Sequence, residues 1–71
     1  MLYFNLEVIL KENKIQKKEI AKILHITPVS ISYKLNGKRK FNQDEMYAIK
    51  NIIIEKTGKE YSLEYLFSKE I

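Results

Sequence analysis

The chain contains no cysteine, and in 71 residues that absence constrains folding more than any other feature. A domain of this size buries only about 60% of the surface its unfolded chain exposes, and many such domains are stapled by disulfides or a structural metal. Here there is no thiol, and His25 is the single histidine, so disulfide frameworks and thiolate zinc sites are excluded. Side-chain packing has to supply the stability. The means are present: 45% of residues are apolar, with five tyrosines and three phenylalanines, while only two glycines and one proline interrupt the chain. That composition argues against disorder and for helix packing within one domain spanning residues 1–71.

The opening run from Met1 to Leu10 carries Asn5 and Glu7 and lacks the basic start of a signal peptide. Apolar runs such as Ile52-Ile53-Ile54 fall far short of the ~20 residues that a membrane span needs. A cytoplasmic protein with no membrane partner is expected.

Charge is distributed unevenly. Residues 1–40 hold nine bases (Lys11, Lys14, Lys17, Lys18, Lys22, Lys34, Lys38, Arg39, Lys40) against Glu7, Glu12 and Glu19, a net of +6. Residues 41–71 hold four lysines against six acids, a net of −2. Such asymmetry within a small domain fits a face that meets a polyanion, although lysines also serve as ordinary solubilising groups on helix surfaces.

Apolar spacing predicts five short helices and no strand. Leu6, Ile9 and Leu10 mark the first, which fades at Asn13-Lys14, where Asn tolerates a left-handed backbone. The second starts after Gln16, a weak cap with Glu19 three residues on, and Ile20, Ile23 and Leu24 form its inward stripe. A short break at His25-Ile26 follows. Thr27-Pro28 then restarts the chain as a cap followed by a proline at the first helical position. Ile31 and Leu35 supply the buried side of this third helix, and Asn36-Gly37 ends it. Phe41 is the large apolar anchor of the basic loop that follows. Asn42 and Glu45 make a capping box for a fourth helix with Met46, Ile49 and Ile53 inward, ending near Thr57-Gly58. Ser62 caps a last short helix holding Leu63, Leu66 and Phe67.

Two short helices joined by three or four residues make a helix-turn-helix unit, here expected over about residues 17–36. Such a unit needs a small residue where its helices touch and an apolar plug in the turn. Ala21 and Ile26 meet those needs. The run from Gln16 to Phe41, QKKEIAKILHITPVSISYKLNGKRKF, resembles the helix-turn-helix of Cro/CI-type phage repressors and their bacterial relatives. The resemblance lies in Glu19-Ile20-Ala21, Ile26-Thr27, Ile31-Ser32 and Lys34-Leu35-Asn36-Gly37-Lys38, and the order of five helices extends it over nearly the whole chain. Two positions depart from the family pattern: His25 stands where glycine is usual, and Gln16 where Ser, Thr or Asn is usual.

The resemblance implies an all-α, compact, lambda-repressor-like domain and a transcriptional repressor of a phage lysogeny switch, acting in the bacterial cytoplasm. Its partner would be double-stranded operator DNA, with the third helix in the major groove. Base-edge contacts would come from Pro28, Val29, Ser32 and Tyr33. These include no Arg for guanine and no Asn or Gln for adenine, so each contact is weak; Val29 suits a thymine methyl. Phosphate contacts would come from Gln16, Lys17, Lys34, Asn36, Lys38, Arg39 and Lys40, neutralising about five phosphates per subunit.

No chemistry of bond-making is expected. Ser30 and Ser32 lack a His–acid arrangement, Glu7, Glu12 and Glu19 show no paired-carboxylate spacing, and there are too few glycines for a phosphate-binding loop. Neither a cofactor, nor a metal, nor a small-molecule substrate is implied. The C-terminal third offers one more candidate surface: Tyr47, Ile52, Ile54, Tyr61 and Tyr65. Consecutive residues of a helix turn about 100°, so Ile52, Ile53 and Ile54 cannot share one core face. Either the last helix wraps over the outer isoleucine, or this surface meets a partner. That partner would be a second copy in a weak homodimer on palindromic half-sites, or a larger phage repressor protein that the chain modulates as an antirepressor.

Overall fold

The computed structural model describes residues 2–69. Five helices are present: α1 (Phe4–Glu12), α2 (Lys17–Leu24), α3 (Pro28–Leu35), α4 (Gln43–Thr57) and α5 (Leu63–Leu66), with no strand among the described residues. Their starts follow local chemistry. Thr27 Oγ1 accepts the Ser30 N–H at 3.1 Å with Pro28 in the first helical position, and Ser62 Oγ accepts the Tyr65 N–H at 3.1 Å. At α4 the box is reciprocal: the Asn42 side chain accepts from Glu45 N–H at 2.8 Å, and the Glu45 carboxylate accepts from Asn42 N–H at 3.0 Å. At α2 the Glu19 carboxylate reaches the Gln16 N–H only at 3.4 Å, as a poor cap would predict.

Three helices end in the same way. Beyond α1, α2 and α3, Lys14, His25 and Gly37 adopt positive φ of 57°, 59° and 83°. In each case the next residue donates back across six residues: Ile15 to the Leu10 carbonyl, Ile26 to Ala21 and Lys38 to Tyr33, at 2.8, 3.0 and 2.9 Å. These are Schellman ends, which satisfy the orphan carbonyls of the last turn. The first corrects the sequence expectation. Asn13 keeps an ordinary φ of −101°, and it is Lys14 that turns left-handed. Asn13 instead donates through its side-chain amide to the Ile9 carbonyl at 2.8 Å.

Helix α2 packs against α3 and α4, and α5 packs against α1 and α4. The core at these junctions includes Leu6, Ile20, Ile31, Leu35, Ile49, Ile53 and Leu66, all almost wholly buried. Each such side chain contributes about 1.5–3 kcal/mol relative to exposure. The radius of gyration, 11.0 Å, is that of a tightly packed chain of this length. No helix is long and apolar enough to cross a membrane among the described residues.

One expected inward residue points out. Ile23 is 48% exposed, while Ala21 is buried. At about 100° per residue, Ile20, Leu24 and Ala21 span an arc of about 100°, and Ile23 lies about 60° outside it. The small Ala21 side chain faces inward where α2 meets its neighbours. On α4, Met46 is half-buried, whereas Ile52 joins Ile49 and Ile53 in the core. Being flanked by α2 on one side and α5 on another lets α4 bury two consecutive isoleucines.

Distant segments meet in an aromatic triangle. Tyr3, Phe41 and Phe67 pack edge to face, with centroids 5.6, 5.8 and 5.3 Å apart, an arrangement that contributes about 0.5–1.5 kcal/mol per pair beyond area burial. Burial raises the Tyr3 phenol above its ordinary pKa of 10.0. Phe41 is therefore the anchor expected of it, but it anchors to the residue before α1 and the residue after α5. Nearby, the Asn5 side-chain amide donates to the Tyr65 carbonyl at 3.0 Å, joining α1 to α5.

Candidate nucleic-acid interface

With Ile31 and Leu35 buried, the opposite side of α3 is left to solvent. Pro28 is exposed, Val29 is 59% exposed and Tyr33 39%. Ser32 is half-buried. Thr27 is already committed, since its hydroxyl both caps α3 and donates to Ser30 Oγ at 3.0 Å. The start of α3 therefore presents a largely apolar tip with one serine hydroxyl behind it.

The seven residues expected to meet phosphate divide into free and engaged groups. Gln16, Asn36, Lys38, Arg39 and Lys40 are all exposed. Lys17 is exposed too, with its ammonium 3.6 Å from the Glu7 carboxylate, a surface pair that costs little to open. Lys34 is different. Its side chain is 13% exposed, and its ammonium bonds Glu45 Oε1 at 3.0 Å and the Lys40 carbonyl at 3.1 Å. It also lies 6.0 Å from the centre of the Phe41 ring. Lys34 thus serves inside the fold, tying α3 to α4 and to the loop between them, and is removed from the phosphate set.

Cations gather at the far end of α3. The Lys38 ammonium lies 5.3 Å, and the Arg39 guanidinium 5.9 Å, from the centre of the Tyr33 ring. Both residues also donate backbone N–H groups to the Tyr33 carbonyl, at 2.9 and 3.3 Å. Across the body of the protein, Lys56 of α4 pairs with Glu19 of α2. That contact and the Gln16 N–H lower the Glu19 pKa below its ordinary value.

The C-terminal candidates are brought together only in part. Tyr65 is half-exposed and stacks on Tyr61, centroids 5.6 Å apart and rings 16° from parallel. Tyr47 is half-exposed, and Ile54 and Tyr61 are half-buried. Ile52 is 4% exposed, so it belongs to the core and not to a partner surface. Ile52 is buried beside Ile53, while Ile54 stays half-buried.

Two features escaped the sequence reading. The Lys34–Glu45 pair joins residues eleven apart across a loop, a separation that carries no helical signal. The Tyr33 contacts to Lys38 and Arg39 form only after Gly37 reverses the chain, and the glycine was the one visible sign of them. No protein-family model matches this chain, and no curated protein or solved structure matches it either.

Proposed function

We propose that the chain is a sequence-specific DNA-binding transcriptional regulator, a Cro-like repressor whose α2 and α3 form a lambda-repressor-like helix-turn-helix. In this reading α3 enters the major groove of operator DNA, which is wide enough for one helix. The observation that carries it is the outer side of α3, free of core contacts at Pro28, Val29 and Tyr33 and followed at once by the exposed cations Lys38, Arg39 and Lys40. With Lys34 tied to Glu45, about four cations per subunit remain for phosphate, including Lys17. Affinity then falls with salt at a slope of about −3.6 on a log–log plot.

Selection of bound duplexes from a randomised pool at low salt tests the reading. An enriched sequence is expected, with Val29→Ala or Ser32→Ala changing its preference. Lys38→Ala should weaken all duplexes alike and reduce the salt slope by about 1. Failure of the protein alone to retain any duplex at low salt would overturn it.

A second reading draws on Tyr65 and Tyr47, aromatic and half-exposed. A small modulator that docks on a larger phage repressor through either of these residues would shift DNA only in the mixture. A second copy docking there would give a weak homodimer on paired half-sites.

A further inference from the structure

We infer that Tyr33 is a positioning residue rather than a base reader: its ring and carbonyl hold Lys38 and Arg39 together as a preformed clamp for a backbone phosphate. The inference rests on the DNA-binding reading of α3 and adds the role of one residue within it.

The last turn of α3 and the loop after it are bound to each other at successive residues. The Tyr33 carbonyl accepts from both Lys38 and Arg39 N–H groups, at 2.9 and 3.3 Å, while its ring lies 5.3 and 5.9 Å from their two cationic heads. The next helical residue, Lys34, holds the following loop carbonyl, that of Lys40, at 3.1 Å. Gly37 makes the reversal possible with φ of 83°, a conformation that side chains other than glycine resist. Two like charges repel when brought close. The negative face of an aromatic ring offsets part of that repulsion, and a phosphate between them would remove the rest. Long flexible cations lose rotamer freedom when they bind, so holding them beforehand lowers the cost of association.

With both cations within 6 Å of the ring centre, the Tyr33 ring is engaged, and only its edge hydroxyl is left to meet a base. Three exposed cations in sequence with one ring beneath the first two point instead to a sequence-independent contact, which sets register on the duplex without specifying it.

Binding of the selected duplex and of a scrambled duplex of the same composition is measured by fluorescence anisotropy. Tyr33→Leu is expected to weaken both about tenfold, leaving their ratio unchanged, and Tyr33→Phe to retain wild-type affinity within about twofold. In a Lys38→Ala/Arg39→Ala background, Tyr33→Leu should have no further effect. In the free protein, the Lys38 ε-methylene protons should carry an upfield ring-current shift that Tyr33→Leu abolishes and Tyr33→Phe keeps. Loss of the selected-to-scrambled ratio in Tyr33→Leu, or loss of binding in Tyr33→Phe, would make Tyr33 a reader of bases and overturn the inference. An undiminished effect of Tyr33→Leu in the double-alanine background, or no ring-current shift, would also overturn it. Absence of wild-type binding to either duplex would instead sink the DNA-binding reading, and the clamp with it.

Discussion

Two turns bracket α3, and they reach the same backbone geometry by different means. Before it, His25 sits at φ 59° with its N–H on the Lys22 carbonyl and the Ile26 N–H on Ala21, at 3.2 and 3.0 Å. After it, Gly37 sits at φ 83° with its N–H on Lys34 and the Lys38 N–H on Tyr33, at 3.2 and 2.9 Å. Both satisfy carbonyls at equivalent positions of the helix end they follow. At the second, a distant part of the chain stands close: a Cβ added to Gly37 would be 2.6 Å from Leu2 Cδ2. The first turn therefore carries a side chain at a conformational cost, whereas a side chain at the second would also have to displace the tip of Leu2. A helix presented to solvent on one side needs both its ends held, and here one hold is local and the other tertiary.

Substitutions separate the two kinds of hold. The largest effect is expected for Gly37→Ala, at about 2 kcal/mol of lost stability in urea melts: left-handed strain costs about 1–2 kcal/mol, and the Leu2 contact adds to it. Leu2→Ala should then cost less in the Gly37→Ala background than in the wild type. Equal cost in both would remove Leu2 from the turn.

Lys34→Met comes next, with about 1–2 kcal/mol lost because an ion pair largely shielded from water is broken and the Lys40 carbonyl loses its donor. Glu45 keeps its bond from the Asn42 N–H, which limits the loss. A melt unchanged by this substitution would make the pair incidental.

His25→Gly should act in the opposite direction, raising stability by about 0.5–1 kcal/mol. Relief of the left-handed strain slightly exceeds the extra entropy that glycine brings to the unfolded chain. A destabilised His25→Gly variant would mean that the side chain contributes to the turn after all, and the contrast with Gly37 would fail.

The smallest effect concerns acid at the start of α2. The Lys56 side chain and the Gln16 N–H lower the folded pKa of Glu19 below 4.5. A carboxylate depressed in the folded state stabilises above its unfolded pKa and loses that contribution as pH falls through the folded value. Stability should therefore decline slightly less on the acid side in Glu19→Gln than in the wild type. Parallel acid profiles would show that the Lys56 contact is too exposed to matter.

Much of the architecture was legible because it is written in short-range chemistry. Thr27-Pro28, Asn42 with Glu45, and Ser62 each act within one helical turn, so their residue types suffice to locate the helix starts. Ile31, Leu35, Ile49 and Ile53 repeat at helical spacing and are buried. Ile23 and Asn13 depart from expectation for a common reason: which edge of an amphipathic arc is covered, and which of two adjacent residues turns left-handed, depend on the neighbouring segment. Within the candidate interface, the exposure of Val29 and Tyr33 followed from the buried stripe opposite, and that of Lys38–Lys40 from three consecutive charges in a loop. The withdrawal of Lys34 did not, since only the packing of α4 brings Glu45 to it.

The absence of cysteine determined that packing must hold the chain, and the caps and apolar spacing determined which residues form helices. Those effects act over a few residues and need no partner elsewhere in the chain. Tertiary structure alone decided that Tyr3, Phe41 and Phe67 close one aromatic cluster, that Ile52 is core, and that Lys34 is spent within the fold. Each depends on segments far apart in sequence, whose approach is set by how whole helices pack and not by local pattern.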